Sequence, residues 1–191
     1  MTNVATDEQL AQMTKDLTQA RIANWLATDL FTWNWWFIFA LLVIPWIVFY
    51  FLADRQKLPN LWLYGTFLFI VIFSLDLMGY ENGLWAYPYK ILPFGPFIAY
   101  IDASPLPVIY MLEYQYFPKW RDFIVLMIIT AMVFSFCFEP ALAKMGLYIP
   151  VSWEYYYGLP IYFVIPILLR FAVEKIFASA KNHGGKHRGK I

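Results

Sequence analysis

Three acids, Asp76, Asp102 and Glu139, stand in or beside long apolar stretches, where a carboxylate is costly unless it has a task. In such surroundings a carboxylate can handle protons or hold an amphiphile. The segment from Glu81 to Lys90 follows Asp76 directly and carries Trp85, Tyr87 and Tyr89. Two readings of this group are open. In one, Asp76, Asp102 and Glu139 cap helices and satisfy loop amides, with Lys90 as counter-charge and the aromatics as ordinary interfacial residues. In the other, Asp76, Trp85, Tyr87, Asp102 and Glu139 line a polar, aromatic-walled ligand pocket.

Glu113 and Arg170 form a second candidate set. Both fall a few residues short of the inner ends of their helices, so a Glu113–Arg170 ion pair between helices is expected, either charge alone being costly there. Tyr110, Glu113, Tyr114 and Phe117 share one helical face by their spacing. Alternatively Arg170 snorkels to the headgroups and leaves Glu113 another role. His183 and His187 have i, i+4 spacing, but Gly184 and Gly185 between them speak against a helix, and a solvated tail is expected, not a metal site. Cys137, a lone cysteine inside an apolar run, excludes an internal disulfide. Phosphate-loop, nucleophile-elbow and zinc-helix motifs are absent, and no cofactor or metal is expected.

The elements that must position these groups are set by hydrophobicity. Leu30 to Ala53, Leu58 to Leu75, Phe123 to Phe138 and Tyr155 to Leu169 carry no charge. A hydrocarbon core of ~30 Å needs about 20 apolar residues of helix. The apolar content of 61% and mean hydropathy of +0.54 agree. The expected fold is all-α, a polytopic membrane bundle of about five transmembrane helices preceded by an amphipathic N-terminal helix. Its spans are Trp33 to Ala53 (bent at Pro45), Leu61 to Tyr80, a short helix from Asp102 to Phe117, Asp122 to Ala143, and Tyr157 to Phe177. Asp102 reads as a capping residue before Pro105. The short third helix rises only ~20 Å, so residues 91–101 are expected to lie in the interface or to re-enter the bilayer.

The N-terminal helix begins at Thr6-Asp7-Glu8-Gln9, which has capping-box spacing. Its stripe of Leu10, Met13 and Leu17 is thin, so it is expected to rest on headgroups or on the bundle. With five crossings, Arg55, Lys57, Lys119, Arg121 and Lys175 join the tail's Lys181, Lys186, Arg188 and Lys190 on one side, against Lys15, Arg21, Lys90 and Lys144. That asymmetry puts the N-terminus outside and the C-terminus in the cytoplasm. Residues 1–30 are read as the interfacial helix, 31–178 as the bundle, and 179–191 as a basic tail drawn to anionic lipids. The net charge of +1 gives no reason to expect nucleic acid as a partner; membrane lipids are the expected partners.

Two stretches carry a resemblance. Asp76 to Pro93 (Asp-Leu-Met-Gly-Tyr-Glu-Asn-Gly-Leu-Trp-Ala-Tyr-Pro-Tyr-Lys-Ile-Leu-Pro) and Leu106 to Trp120, with the Phe138-Glu139-Pro140 element, resemble a family of small multi-pass membrane proteins of spore-forming Bacilli and Clostridia. The resemblance runs from the first to the fifth span and implies a Gram-positive cell membrane, without assigning an activity. A fainter similarity is to heterodimer-type lycopene cyclase subunits: Asp76 with Trp85-Ala86-Tyr87, and Pro107 with Glu113, follow the order of motifs there. Glu113 stands alone where the cyclases have adjacent acids, and its spacing from the proline is longer. This similarity implies an isoprenoid or lipid ligand. Three functions follow as expectations: a polar lipid- or isoprenoid-binding pocket near the outer leaflet, a carboxylate-dependent enzyme on such a substrate with Asp76 or Glu113 as general acid, or a membrane scaffold, as in sporulation.

Overall fold

The computed structural model describes residues 4–93 and 99–188. It is all-α apart from one two-residue strand pair. Helix α1 (Asp7–Asn24) starts from the expected capping box: the Gln9 amide donates to Thr6 Oγ1 at 3.3 Å, and the Thr6 amide to Gln9 Oε1 at 3.0 Å. A π-helical turn, Trp25–Asp29, continues it. Leu10, Met13 and Leu17 are exposed, so this stripe does not rest on the bundle.

Helices α2 (Trp33–Leu52) and α3 (Leu58–Glu81) are followed by the short α4 (Ala99–Asp102) and α5 (Pro105–Tyr116). Then α6 (Trp120–Val133), a π-helical turn (Phe134–Phe138) and α7 (Glu139–Lys144) form one continuous rod, and α8 runs from Gly158 to Arg188. Among the described residues, three helices are long and apolar enough to cross a membrane: Trp33–Leu52, Leu58–Glu81 and Trp120–Lys144, with mean hydropathies of 2.3, 1.9 and 2.1.

Two local expectations are corrected. The helix expected from Asp102 starts at Pro105, because the residue before a proline is disfavoured in helical conformation and the chain breaks at Ser104. Asp102 closes α4 instead of capping α5. The tail was expected to lose its helix at Gly184-Gly185, yet the α8 backbone stays helical to Arg188; two glycines cost about 2 kcal/mol of propensity, which a preceding long helix can carry. The expected re-entry of residues 91–101 falls largely on 94–98, outside the described residues.

Helix α8 packs on α6 and α3, and α5 packs on α2 and α3. Tyr64, Leu68, Met111, Phe123, Met127 and Val173 form the buried centre. Pro166 inside α8 cannot donate to the Tyr162 carbonyl one turn earlier. The Tyr110 hydroxyl donates to that carbonyl at 2.9 Å.

The two ends of the packed helices are closed differently. Helices α3 and α7 both end in a turn through a left-handed glycine, Gly83 (φ 68°) and Gly146 (φ 70°). In each, the next residue's amide reaches back to the last turn, Leu84 to the Gly79 carbonyl and Leu147 to the Leu142 carbonyl. The released loops then pair as antiparallel strands, β1 (Trp85–Ala86) with β2 (Ile149–Pro150). This clasp ties the α3 loop to the α7 loop. At the other end of α5, buried Gln115 accepts from the Asp54 amide at 2.7 Å and donates to the Leu52 carbonyl at 2.9 Å, fixing the α2–α3 turn.

Candidate functional site: a carboxylate-lined cavity beneath the clasp

Asp76 lies on α3 one turn before Tyr80, on the side that faces the clasp. Its Oδ1 accepts from Trp85 Nε1 at 3.0 Å and from the Tyr87 hydroxyl at 2.9 Å. Trp85 reaches it by packing directly against Gly79, where a Cβ would come within 2.1 Å of the indole. Burial, with Asp76 and Asp102 adding their negative charge, pushes the Tyr87 hydroxyl well above the ordinary tyrosine range, so it stays a donor. Trp153 closes on Trp85 edge to face at 4.8 Å, and Tyr148 on Tyr87 at 5.5 Å.

Glu139 arrives from the opposite wall. The π-helical turn before it brings the Glu139 amide to the Phe134 carbonyl, five residues back. Pro140 lacks an amide and its ring would press on the carbonyl of Phe136 in a regular helix, so the wider turn is the local solution. The Tyr162 hydroxyl donates to Glu139 Oε1 at 2.7 Å. Gly158 makes room for both: a Cβ there would lie 2.9 Å from the Tyr162 ring and 3.1 Å from Glu139 Oε1.

Asp76, Trp85, Tyr87, Asp102 and Glu139 all line one cavity of ≈ 90 Å³. Apolar wall comes from Ile72, Leu75, Leu106, Leu142 and Ile165. Among the described residues, no lysine, arginine or histidine lines it. Asp102 and Glu139 are buried, at 4% and 8% exposure, and Asp102 Oδ2 and Glu139 Oε2 have no hydrogen-bond partner. The capping reading of these acids therefore does not describe them: Asp76 and Glu139 are held by side-chain donors, and Asp102 starts no helix. Lys90 is not their counter-charge either. Burial lowers its pKa, and the charges that act on it are Asp29 and Arg21.

The expected Glu113–Arg170 pair does not form. Arg170, 1% exposed, donates through Nε to Glu174 Oε1 at 2.8 Å, through Nη1 to the Phe117 carbonyl at 2.9 Å and through Nη2 to the Pro118 carbonyl. Its guanidinium lies 4.3 Å from the Phe123 ring centre and 4.6 Å from that of Trp120, and Trp120 Nε1 donates to Glu174 Oε2 at 3.0 Å. The carbonyls at the end of α5 would otherwise lack donors, and a guanidinium fork satisfies two of them at once. With Glu174 one turn away on the same helix, Arg170 has a partner nearer than Glu113. Glu113 instead accepts from Thr130 Oγ1, its other oxygen is unpartnered, and it does not line the cavity.

The sequence reading did not single out Trp153, Tyr148, Tyr162 or Gly158 for the site, nor Glu174 for Arg170. Only the i, i+4 spacing of Arg170 and Glu174 offered a signal. Among the described residues no group of three or more His, Cys, Asp or Glu is placed to hold a metal ion. No family model, curated protein or solved structure matches the chain. What the fold and site define is an all-α protein, with three helices of membrane-crossing length and a carboxylate-lined cavity under an aromatic clasp.

Proposed function

We propose that this chain is a multi-pass integral membrane protein that holds the polar head of a lipid or isoprenoid in the cavity beneath the clasp. The three apolar helices support a membrane location. In this reading α5 and the uncharged first half of α8 supply the remaining two of five crossings, the N-terminus and clasp face outside, and the C-terminus faces the cytoplasm of a Gram-positive cell. The observation that carries the ligand reading is the pair of buried, unpartnered carboxylate oxygens of Asp102 and Glu139 in one cavity with Asp76. Polar groups buried without partners are rare and costly, and a ligand's polar head would satisfy them. Leu75 lines it and is also 38% exposed on α3, which gives an apolar tail a way out toward lipid.

The rival reading is a carboxylate-dependent enzyme on the same class of ligand. The cavity favours Asp76 over Glu113 as its acid, since Asp76 lines it and Glu113 does not. Native mass spectrometry of protein extracted with its lipids tests the binding reading. A stoichiometric amphiphile is expected on the native chain and lost from Asp76→Asn at nearly unchanged melting temperature. Retention of the adduct by Asp76→Asn and by Glu139→Gln would sink it.

A further inference from the structure

We infer that the head held in this cavity is a protonated primary or secondary amine. For its apolar tail the inference rests on the amphiphile reading above.

Three observations converge. The first is charge: Asp76, Asp102 and Glu139 line one small cavity to which no basic side chain among the described residues contributes. Like charges in a low-dielectric space are relieved by a cation between them. An anionic head such as a phosphate diester would add to the repulsion.

The second is the hydrogen-bond balance. Four donors at the wall are already committed: Trp85 Nε1 and the Tyr87 hydroxyl to Asp76, the Tyr162 hydroxyl to Glu139, and the Tyr110 hydroxyl to a backbone carbonyl. On the carboxylates that line the cavity, Asp102 Oδ2 and Glu139 Oε2 remain open acceptors. A group that satisfies both oxygens in their ionised form must donate. A quaternary ammonium has the charge without the donors, and a hydroxyl has one donor without the charge. An ammonium with N–H bonds has both, and its hydrogen bonds to carboxylates are of the strong, charge-assisted kind.

The third is the wall itself. Trp85, Tyr87, Tyr148, Trp153 and Tyr162 surround the acids, and aromatic faces attract an organic cation. A metal ion is a poor alternative, because no metal-holding group of His, Cys, Asp or Glu occurs among the described residues. The amine is carried by an amphiphile or is a small free amine; the chemistry at the cavity is the same.

The test is a titration of the full chain in phosphatidylcholine nanodiscs, read by tryptophan fluorescence, since Trp85 and Trp153 stand at the cavity. Four probes are compared: dodecylammonium, dodecyltrimethylammonium, dodecanol and ethylammonium. Dodecylammonium is expected to saturate and to bind about tenfold or more tighter than the other two long chains. Asp102→Asn and Glu139→Gln should each weaken dodecylammonium about tenfold and leave dodecanol unchanged. Dodecanol or dodecyltrimethylammonium binding as tightly as dodecylammonium overturns the amine inference and leaves the amphiphile reading standing. Ethylammonium binding as tightly as dodecylammonium keeps the amine and overturns the amphiphile reading. Failure of every probe overturns both. The ranking of probes on the native chain decides these cases even where a variant fails to fold.

Discussion

Gly79 and Trp85 fit one another as surface and lid: the indole occupies the space that any side chain at position 79 would fill, with a Cβ only 2.1 Å from its ring. That contact lets Trp85 reach back to Asp76 nine residues earlier in the chain and turns the loop after α3 into the roof of the cavity.

Gly79→Ala is therefore expected to push the indole off α3 and break its bond to Asp76. Overpacking of this kind costs about 1–3 kcal/mol. Thermal unfolding in detergent measures the loss, and ligand retention should fall with it. A variant with native melting temperature and native ligand content would show that the roof does not depend on this contact.

Tyr110 compensates for Pro166 by donating to the Tyr162 carbonyl. Tyr110→Phe should leave that buried carbonyl without a donor, at a cost of about 1–2 kcal/mol. Pro166→Ala restores an amide at position 166, so the double variant should recover most of the loss. A double-mutant cycle of melting temperatures measures this coupling; strictly additive effects would remove the compensation argument.

The same kind of cycle separates the two partners of Arg170. Arg170→Gln should cost about 1–3 kcal/mol, because it leaves the carbonyls of Phe117 and Pro118 without their donor. Arg170→Gln and Glu174→Gln should couple strongly. Arg170→Gln and Glu113→Gln should be close to additive, and Glu113→Gln should instead couple with Thr130→Val.

The orientation is checked by cysteine labelling in a Cys137→Ser background. Ser152→Cys, beside the clasp, is expected to react with a membrane-impermeant maleimide on intact cells. Gln56→Cys, in the α2–α3 turn, should react only after permeabilisation. The reverse pattern would invert the topology.

The apolar runs alone determine that long apolar helices dominate, because hydrophobicity and length are properties of a local window; that three helices among the described residues reach membrane-crossing length, where five crossings are expected, is read from the structure. The capping box at Thr6 is likewise local and was legible from four residues. Depth along the expected spans was enough to group Asp76, Trp85, Tyr87, Asp102 and Glu139, though not to show what faces them. That depended on rotation about each helix axis, which a nearly uniform apolar sequence leaves undetermined and which packing of α3, α5, α6 and α8 decides. Trp153 and Tyr162 enter the site only because the clasp and α8 carry them there. Arg170 is the clearest case. Matching depth pointed to Glu113, but tertiary structure presented a same-helix carboxylate and two orphan carbonyls, and a guanidinium with five donors goes where the most acceptors converge.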